Sequence, residues 1–247
     1  MTKIEKETIL MIADISGYTK FMVSNKMAQT HAQVVITELI TTIIKQVKIP
    51  LEISKLEGDA VFFFAEKSEG SERWDETRRE IGEKLIEFFA VFSDKINELT
   101  ESNTCKCDAC MHIEKLNLKV IVHSGTALFY KIDKFSELSG VDVIIVHKLL
   151  KNSVISDRYI LVTKSALDTI KFPLNINFEK SREDYEDIGK IGTYLYFPGG
   201  SEGFDHGYSA LSFKIKNMVI KMMLPLMLRL GIKKLKKFNN LPKVSVL

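Results

Sequence analysis

Cysteine is scarce in this sequence and narrowly placed. The chain of 247 residues contains three cysteines, and all of them lie between Cys105 and Cys110. A secreted domain held by disulfides needs cysteines spread along the chain, so we expect no disulfide framework. The N-terminus lacks the apolar segment of a signal peptide, because Glu5 and Glu7 stand where it would begin. Both features favour a cytoplasmic protein.

Acidic residues are absent from the stretch that begins at His206 and ends at Leu247. All 32 acidic residues precede His206, whereas nine of the 35 basic residues follow it. Residues 1–205 therefore carry a net charge of about −6 beside a basic tail. Because nucleic acid binding needs a positive surface, we expect no nucleic acid partner for the acidic body.

Apolar runs long enough to cross a bilayer are also lacking, because a helix that does so takes about 20 residues. Residues 218–228 are apolar except for Lys221, and Pro225 would kink a helix there. Lysines follow within residues 233–237. Such a segment suits the interface of an anionic membrane, and it equally suits packing on the acidic body or across a dimer. We expect residues 206–247 to form a basic helical tail, attached peripherally to the inner membrane face.

The rest of the chain alternates short apolar strands with amphipathic helices. Hydrophobic periodicity predicts strands over 8–13, 52–55, 60–65, 118–123, 127–132, 159–163 and 194–197, and helices over 28–47, 76–99, 141–151 and 165–171. Adjacent hairpins mixed with helices indicate an α+β fold, with a mainly antiparallel sheet and helices packed on it. This domain spans about residues 1–200 and includes a cysteine-containing insertion at about 100–114.

Two aspartates stand at positions where strands end. Asp14 follows the first apolar strand, and Asp59 lies in the turn of a predicted hairpin. Magnesium and manganese prefer oxygen ligands, commonly one or two carboxylates together with the phosphates of a substrate. The pair therefore predicts a metal site, although aspartate is also a common cap and turn residue.

Four segments resemble, in order and spacing, the motifs of class III nucleotide cyclase catalytic domains. They are residues 12–19 (IADISGYT), 55–60 (KLEGDA), 120–125 (VIVHSG) and 140–149 (GVDVIIVHKL). The resemblance covers roughly residues 8–198 and implies a ferredoxin-like cyclase fold. The cysteine insertion is typical of a divergent branch. In such domains two magnesium or manganese ions are held by residues that correspond to Asp14, Asp59 and the carbonyl of Ile15.

The same resemblance implies a nucleotide, ATP or a related one, and a partner subunit. Lys55 corresponds to the residue that reads the purine, and Glu137 corresponds to the acidic residue of adenine-selective members. An equally supported interpretation of Glu137 is a solvated acidic residue in a loop. In a head-to-tail homodimer, Asp14 and Asp59 come from one chain. Lys55, Glu137 and Lys148 come from the other.

The fourth motif departs from the family pattern at two positions. Ile144 stands where an asparagine orients the ribose, and Lys148 stands where an arginine stabilises charge on the phosphates. Isoleucine donates no hydrogen bond, and lysine lacks the planar fork of arginine. We therefore expect a metal-dependent nucleotide-binding homologue, weakly active or inactive, that acts in signalling. One alternative is an active adenylate cyclase in which Lys148, the candidate catalytic residue, or another residue takes over the missing roles. The other is a non-catalytic interaction module at a membrane surface.

The three cysteines form the pattern Cys105-x-Cys107-x-x-Cys110. Thiolates at this density suit zinc, which takes four ligands in structural sites. His112 is the nearest candidate for the fourth ligand, and a partner chain is another. The spacing differs from that of zinc ribbons, so a solvated loop whose thiols bind no metal is the alternative.

Overall fold

The computed structural model describes residues 4–46, 50–102, 105 and 107–199. Within these residues, eight strands form one sheet, and six α-helices accompany it. The strands are β1 (Ile4–Ser16), β2 (Glu52–Glu57), β3 (Ala60–Glu66), β4 (Asn117–Ile132), β5 (Phe135–Ser139), β6 (Tyr159–Thr163), β7 (Glu179–Tyr185) and β8 (Gly189–Tyr196). The helices are α1 (Tyr18–Ser24), α2 (Gln29–Gln46), α3 (Ser71–Ser102), α4 (Asp108–Met111), α5 (Val141–Lys148) and α6 (Lys164–Thr169).

The sheet is mostly antiparallel and has β1 near its centre. Its order is β2-β3-β1-β4-β6-β8-β7, and β5 pairs with the distal half of β4. Only the β4–β6 pair is parallel among the described strands. This arrangement confirms the α+β fold predicted from the sequence. It also brings the C-terminal end of β1 beside the β2–β3 hairpin, which is where the two aspartates lie.

The central strands are buried on both faces because their side chains alternate between two cores. Ile9 and Met11 of β1 face the core beneath α2 and α3. Leu10 and Ile12 face the opposite core, to which α5 contributes Val146. The sheet is therefore the middle of three layers. Among the longer helices of the described residues, α5 alone packs on the second face.

The two long helices follow the predicted apolar stripes. In α2, Ala32, Val35, Leu39 and Ile43 recur every three or four residues and are all buried. The corresponding stripe of α3 is also buried and comprises Ile81, Leu85, Phe88, Phe92, Ile96 and Leu99. These spacings explain why both helices could be predicted from the sequence.

The predicted pair of strands at 118–123 and 127–132 is wrong, because β4 runs through both without a break. Ser124 and Gly125 stay in register with Ile9 and Thr8 of β1. Glycine is needed here, since a Cβ at Gly125 would lie 2.2 Å from the carboxyl carbon of Asp142. The sequence analysis also missed β5, β7, α1 and α4. Apart from these differences, the predicted elements are present with shifted ends.

The predicted tail, residues 206–247, lies outside the described residues. In the part of the chain that is described, no helix combines the length and the apolar character needed to cross a membrane.

Candidate metal and nucleotide site

The sheet register brings Asp14 and Asp59 to the same end of the central strands. Asp14 lies opposite Ala60 of β3 and opposite Lys119 of β4. Asp59 precedes Ala60 in the β2–β3 turn, and its carboxyl is close enough to Asp14 for the charge of Asp14 to raise its pKa. The N–H of Ile15 donates to the carbonyl oxygen of Asp59 at 3.2 Å, which ties the turn to the end of β1.

A lysine that the sequence analysis missed completes this group. The Nζ atom of Lys119 lies 2.8 Å from Oδ2 of Asp14, and both side chains are largely buried. Burial opposes the charge of the ammonium group, but the hydrogen bond and the negative charge of Asp14 outweigh it and raise the pKa of Lys119. The lysine is therefore charged and forms an ion pair with Asp14.

Asp59 has an unusual ionisation. Burial and then the negative charge of Asp14 raise the pKa of Asp59 to about 6. Lys119 acts in the opposite direction but does not cancel these effects. Two close carboxylates with incomplete charge compensation are a setting that a divalent cation stabilises. The donor set therefore fits magnesium or manganese, both of which prefer oxygen ligands.

The two residues predicted to read the purine contact each other, and one of them, Glu137, lines a groove. Nζ of Lys55 on β2 donates to Oε2 of Glu137 on β5 at 2.8 Å. This hydrogen bond, against the opposing effect of burial, raises the pKa of Lys55. The groove beside Glu137 has a volume of about 540 Å³, and Phe64 and Phe129 are in its lining.

Helix α5 presents the two departures from the cyclase pattern to solvent. The side chain of Ile144 is 54% exposed. Lys148 is one helical turn further on, and its Nζ lies 2.8 Å from Oδ2 of Asp187 in the β7–β8 turn. Neither side chain belongs to the buried core.

A buried network fixes the N-terminal end of α5. Nε2 of His123 lies 2.8 Å from Oδ1 of Asp142, and its Nδ1 lies 2.9 Å from Oγ1 of Thr163. The backbone N–H of Thr126 donates to Oδ2 of Asp142 at 2.7 Å. Burial raises the pKa of Asp142, but these hydrogen bonds outweigh it and the net pKa is lowered. His123 is therefore part of a structural network between β4, β6 and α5.

The cysteines form a cluster with a histidine that the sequence analysis did not select. The ligand atoms of His31, Cys105, Cys107 and Cys110 all lie within 4.8 Å of one another. His31 belongs to α2, and Cys107 stands immediately before α4. The predicted fourth ligand, His112, lies outside this group and follows the C-terminal end of α4.

Hydrogen bonds around Cys107 favour its thiolate. Burial raises the pKa of this thiol, but hydrogen bonds from the backbone N–H of Cys110 and from the Cys105 side chain outweigh that effect and lower the net pKa. None of the three cysteines forms a disulfide.

The fold is similar to that of nucleotide cyclase catalytic domains, as the four motifs implied. The structure of the adenylyl cyclase CyaB from P. aeruginosa matches with a TM-score of 0.61 and 14% sequence identity, over 81% of this chain and 98% of that chain. The guanylyl cyclase Cya2 matches with a TM-score of 0.62 and 10% identity, over 83% and 98%. Identities this low show a shared fold and leave the activity open.

The chain belongs to the family described as "Protein of unknown function (DUF2652)", whose model matches residues 36–159. A relative is the uncharacterized protein Rv2561/Rv2562 of Mycobacterium tuberculosis, with 27% identity over 144 residues. This alignment covers 58% of the chain and 65% of the relative, just under two thirds of the relative's length. The family region contains Asp59 and the cysteines, whereas Asp14 and His31 precede it.

Proposed function

We propose that the protein binds a nucleotide together with a divalent metal ion, and that it acts in signalling with weak or no cyclase activity. The observation that carries this proposal is the pair of adjacent carboxylates, Asp14 and Asp59, at the end of the central strands of a cyclase fold. Because the pKa of Asp59 is raised by the charge of Asp14, a cation between them would stabilise both ionised groups.

Magnesium or manganese is the metal proposed for this site. Asp14 and Asp59 would hold it, with the carbonyl of Ile15 as a further oxygen. A bound ion would neutralise charge on the phosphates of the nucleotide. Nζ of Lys119 already contacts Oδ2 of Asp14, so a second metal ion that used this oxygen would have to displace the ammonium group. We therefore expect one metal ion to bind before a second.

ATP is the nucleotide that the Lys55–Glu137 pair favours. A lysine can donate to a ring nitrogen and a glutamate can accept from the exocyclic amine of adenine, where guanine presents a carbonyl oxygen instead. The groove beside Glu137 is of the size that small-molecule sites have. One similar structure is an adenylyl cyclase and another a guanylyl cyclase, so the fold accepts either base and the side chains decide.

A head-to-tail homodimer would complete the site, with the aspartates of one subunit facing Lys55, Glu137 and Lys148 of the other. The elements that carry Lys55 and Lys148 expose large apolar side chains, which supports pairing. On β2 and α5 these are Ile53 (42% exposed), Leu56 (56%), Val141 (69%) and Ile144 (54%). Burial of such side chains is a usual driving force for association.

Nucleotide binding tests the proposal directly. Calorimetry with ATP and Mn²⁺ should show binding, and Lys55→Ala should weaken it about 10- to 100-fold, because a hydrogen bond from a charged group contributes about 1.5–3 kcal/mol. Lys171→Ala is the matched control, since Lys171 also forms an exposed ion pair, with Asp75 at 2.9 Å. No binding of ATP or GTP by the full-length protein would contradict the proposal and leave an interaction module.

An active adenylate cyclase is the alternative, and the Lys55–Glu137 pair is the observation that favours it. Incubation of the protein with ATP and Mn²⁺ distinguishes an active cyclase from a weakly active or inactive homologue. We expect little cyclic AMP. Robust product that is lost in Asp14→Ala would establish the active enzyme and overturn the assignment as a weakly active homologue.

The basic tail remains a proposal for membrane attachment, because residues 206–247 lie outside the described residues. Each basic residue near an anionic surface contributes about 1 kcal/mol, and salt screens this attraction. Full-length protein should therefore co-sediment with anionic vesicles at low ionic strength and dissociate as salt is added. A protein truncated after residue 205 is the control. Equal sedimentation of both proteins would rule the tail out as the anchor.

A further inference from the structure

The cluster of His31 with the three cysteines has two ligand separations that match a zinc site, and all of its ligand atoms lie within 4.8 Å of one another. Nδ1 of His31 lies 3.4 Å from Sγ of Cys105 and 3.5 Å from Sγ of Cys107. A tetrahedral zinc ion, with bonds of about 2.3 Å to sulfur and about 2.0–2.1 Å to nitrogen, separates its ligand atoms by roughly 3.5–3.8 Å. The sulfur–nitrogen separations are therefore those of two ligands on one ion.

The chemistry of the four donors points to the same metal. Three sulfurs and one imidazole nitrogen are a ligand set of structural zinc sites, and soft thiolates disfavour magnesium and calcium. The backbone N–H of Cys107 points to Sγ of Cys105 at 3.5 Å. Hydrogen bonds from the backbone to sulfur orient metal-bound thiolates in such sites.

The location of the cluster indicates what a bound ion would do. His31 is near the start of α2, whereas the cysteines belong to the connection between α3 and β4, 74 residues further along the chain. The same connection runs past the loop after Asp14, where a Cβ on Gly17 would lie 3.2 Å from the carbonyl oxygen of Lys115. An ion here would fasten this connection to α2 beside the proposed magnesium or manganese site.

We propose that His31, Cys105, Cys107 and Cys110 bind one structural zinc ion, which fastens the α3–β4 connection to helix α2. Four protein ligands leave no open position for a substrate, so the ion has no catalytic role. This site is separate from the Asp14–Asp59 pair and differs from it in metal preference, so either assignment can fail without the other.

Elemental analysis of full-length protein, purified without a histidine tag or chelator, tests the assignment. We expect about one zinc per chain and, after replacement by Co²⁺, the visible absorption of a tetrahedral thiolate site. His31→Ala should lower the zinc content at least about tenfold after dialysis, and because His31 is exposed the variant should still fold. His31→Cys should restore zinc as a four-cysteine site.

His112→Ala is the control. It tests whether the fourth ligand is His31, which lies in the cluster, or His112, which is the histidine nearest to the cysteines in sequence. It should keep its zinc. Retention of zinc by His31→Ala together with its loss from His112→Ala would overturn the role of His31. Protein without zinc, whose three thiols all react with a thiol reagent in the native state and which takes up no Co²⁺, would overturn the site altogether.

Discussion

Replacing Asp59 with asparagine is expected to abolish stabilisation by Mn²⁺ and, at pH 8, to stabilise the metal-free protein. Wild-type protein at 100 times the dissociation constant for Mn²⁺ gains about 2.7 kcal/mol in the free energy of unfolding. Asparagine removes one of the two carboxylates that would hold the ion, so Asp59→Asn should lose nearly all of this gain. In a chain of this size the lost increment corresponds to a shift in Tm of roughly 5–10 °C.

The stabilisation of the metal-free variant follows from the raised pKa of Asp59. A pKa of about 6 against the ordinary 3.8 means that the ionised carboxylate destabilises the folded state beside Asp14. The full shift would be worth nearly 3 kcal/mol at about 1.36 kcal/mol per pKa unit. Because the group is only half-buried, solvent screening reduces this to on the order of 1 kcal/mol. The neutral amide carries no such penalty.

The pH dependence has a definite sign. Between pH 3.8 and about 6 the folded protein holds a proton on Asp59 that the unfolded chain releases, so the free energy of unfolding contributed by this group falls as pH rises. Above pH 6 the contribution is constant. Stabilisation by Mn²⁺ should therefore grow from pH 5 to pH 7 as the competing proton leaves, and Asp59→Asn should show neither trend.

Thermal unfolding at pH 5, 7 and 8, with and without Mn²⁺, measures both effects. Asp168→Asn is the control, because it removes a carboxylate from an exposed ion pair with Lys164 and should retain the stabilisation by Mn²⁺. The assignment of the metal site would be wrong if Mn²⁺ stabilised Asp59→Asn as much as the wild type.

Local patterns predicted the centre of the fold better than its edge. Strand β1 and helix α3 are long, and their apolar side chains recur with the period of their structure, so they could be read from sequence. Strand β7 has the sequence EKSREDY, and within it only Glu183 is buried. Its pairing depends on backbone hydrogen bonds to β8 at the edge of the sheet, which leave no apolar periodicity to detect.

The candidate site shows the same limit in its side chains. Asp14 and Asp59 were identified because their motifs are contiguous in sequence. Lys119 was missed because its partner, Asp14, is distant in sequence and only the β1–β4 register joins them. Its signal was a lysine in the otherwise apolar run LKVIV. His31 left no local signal, since it meets the cysteines only after α2 packs near α4.

The second large expected effect concerns Ile144 and Lys148 of α5, the two positions that depart from the cyclase pattern. The double variant Ile144→Asn with Lys148→Arg is expected to raise the rate of cyclic AMP formation by about 10²–10³, the usual effect of one donor aimed at developing charge. Asparagine restores a hydrogen-bonding side chain, and arginine restores a planar fork that can engage a phosphate with two N–H groups. Both substitutions should be tolerated, because Ile144 is 54% exposed and Lys148 forms its ion pair with Asp187 at the surface.

The matched control keeps the types of substitution but moves them outside α5, which ends at Lys148. Ile155→Asn with Lys151→Arg replaces an isoleucine that is 99% exposed and an exposed lysine, so its rate should stay at the wild-type level. Adding Asp14→Ala to the active double variant should abolish the gain, because the metal site would then lack a carboxylate. Cyclic AMP measured by chromatography after incubation with ATP and Mn²⁺ gives the rates. If the double variant binds ATP but is no faster than the control, the barrier to cyclisation lies elsewhere than in Ile144 and Lys148.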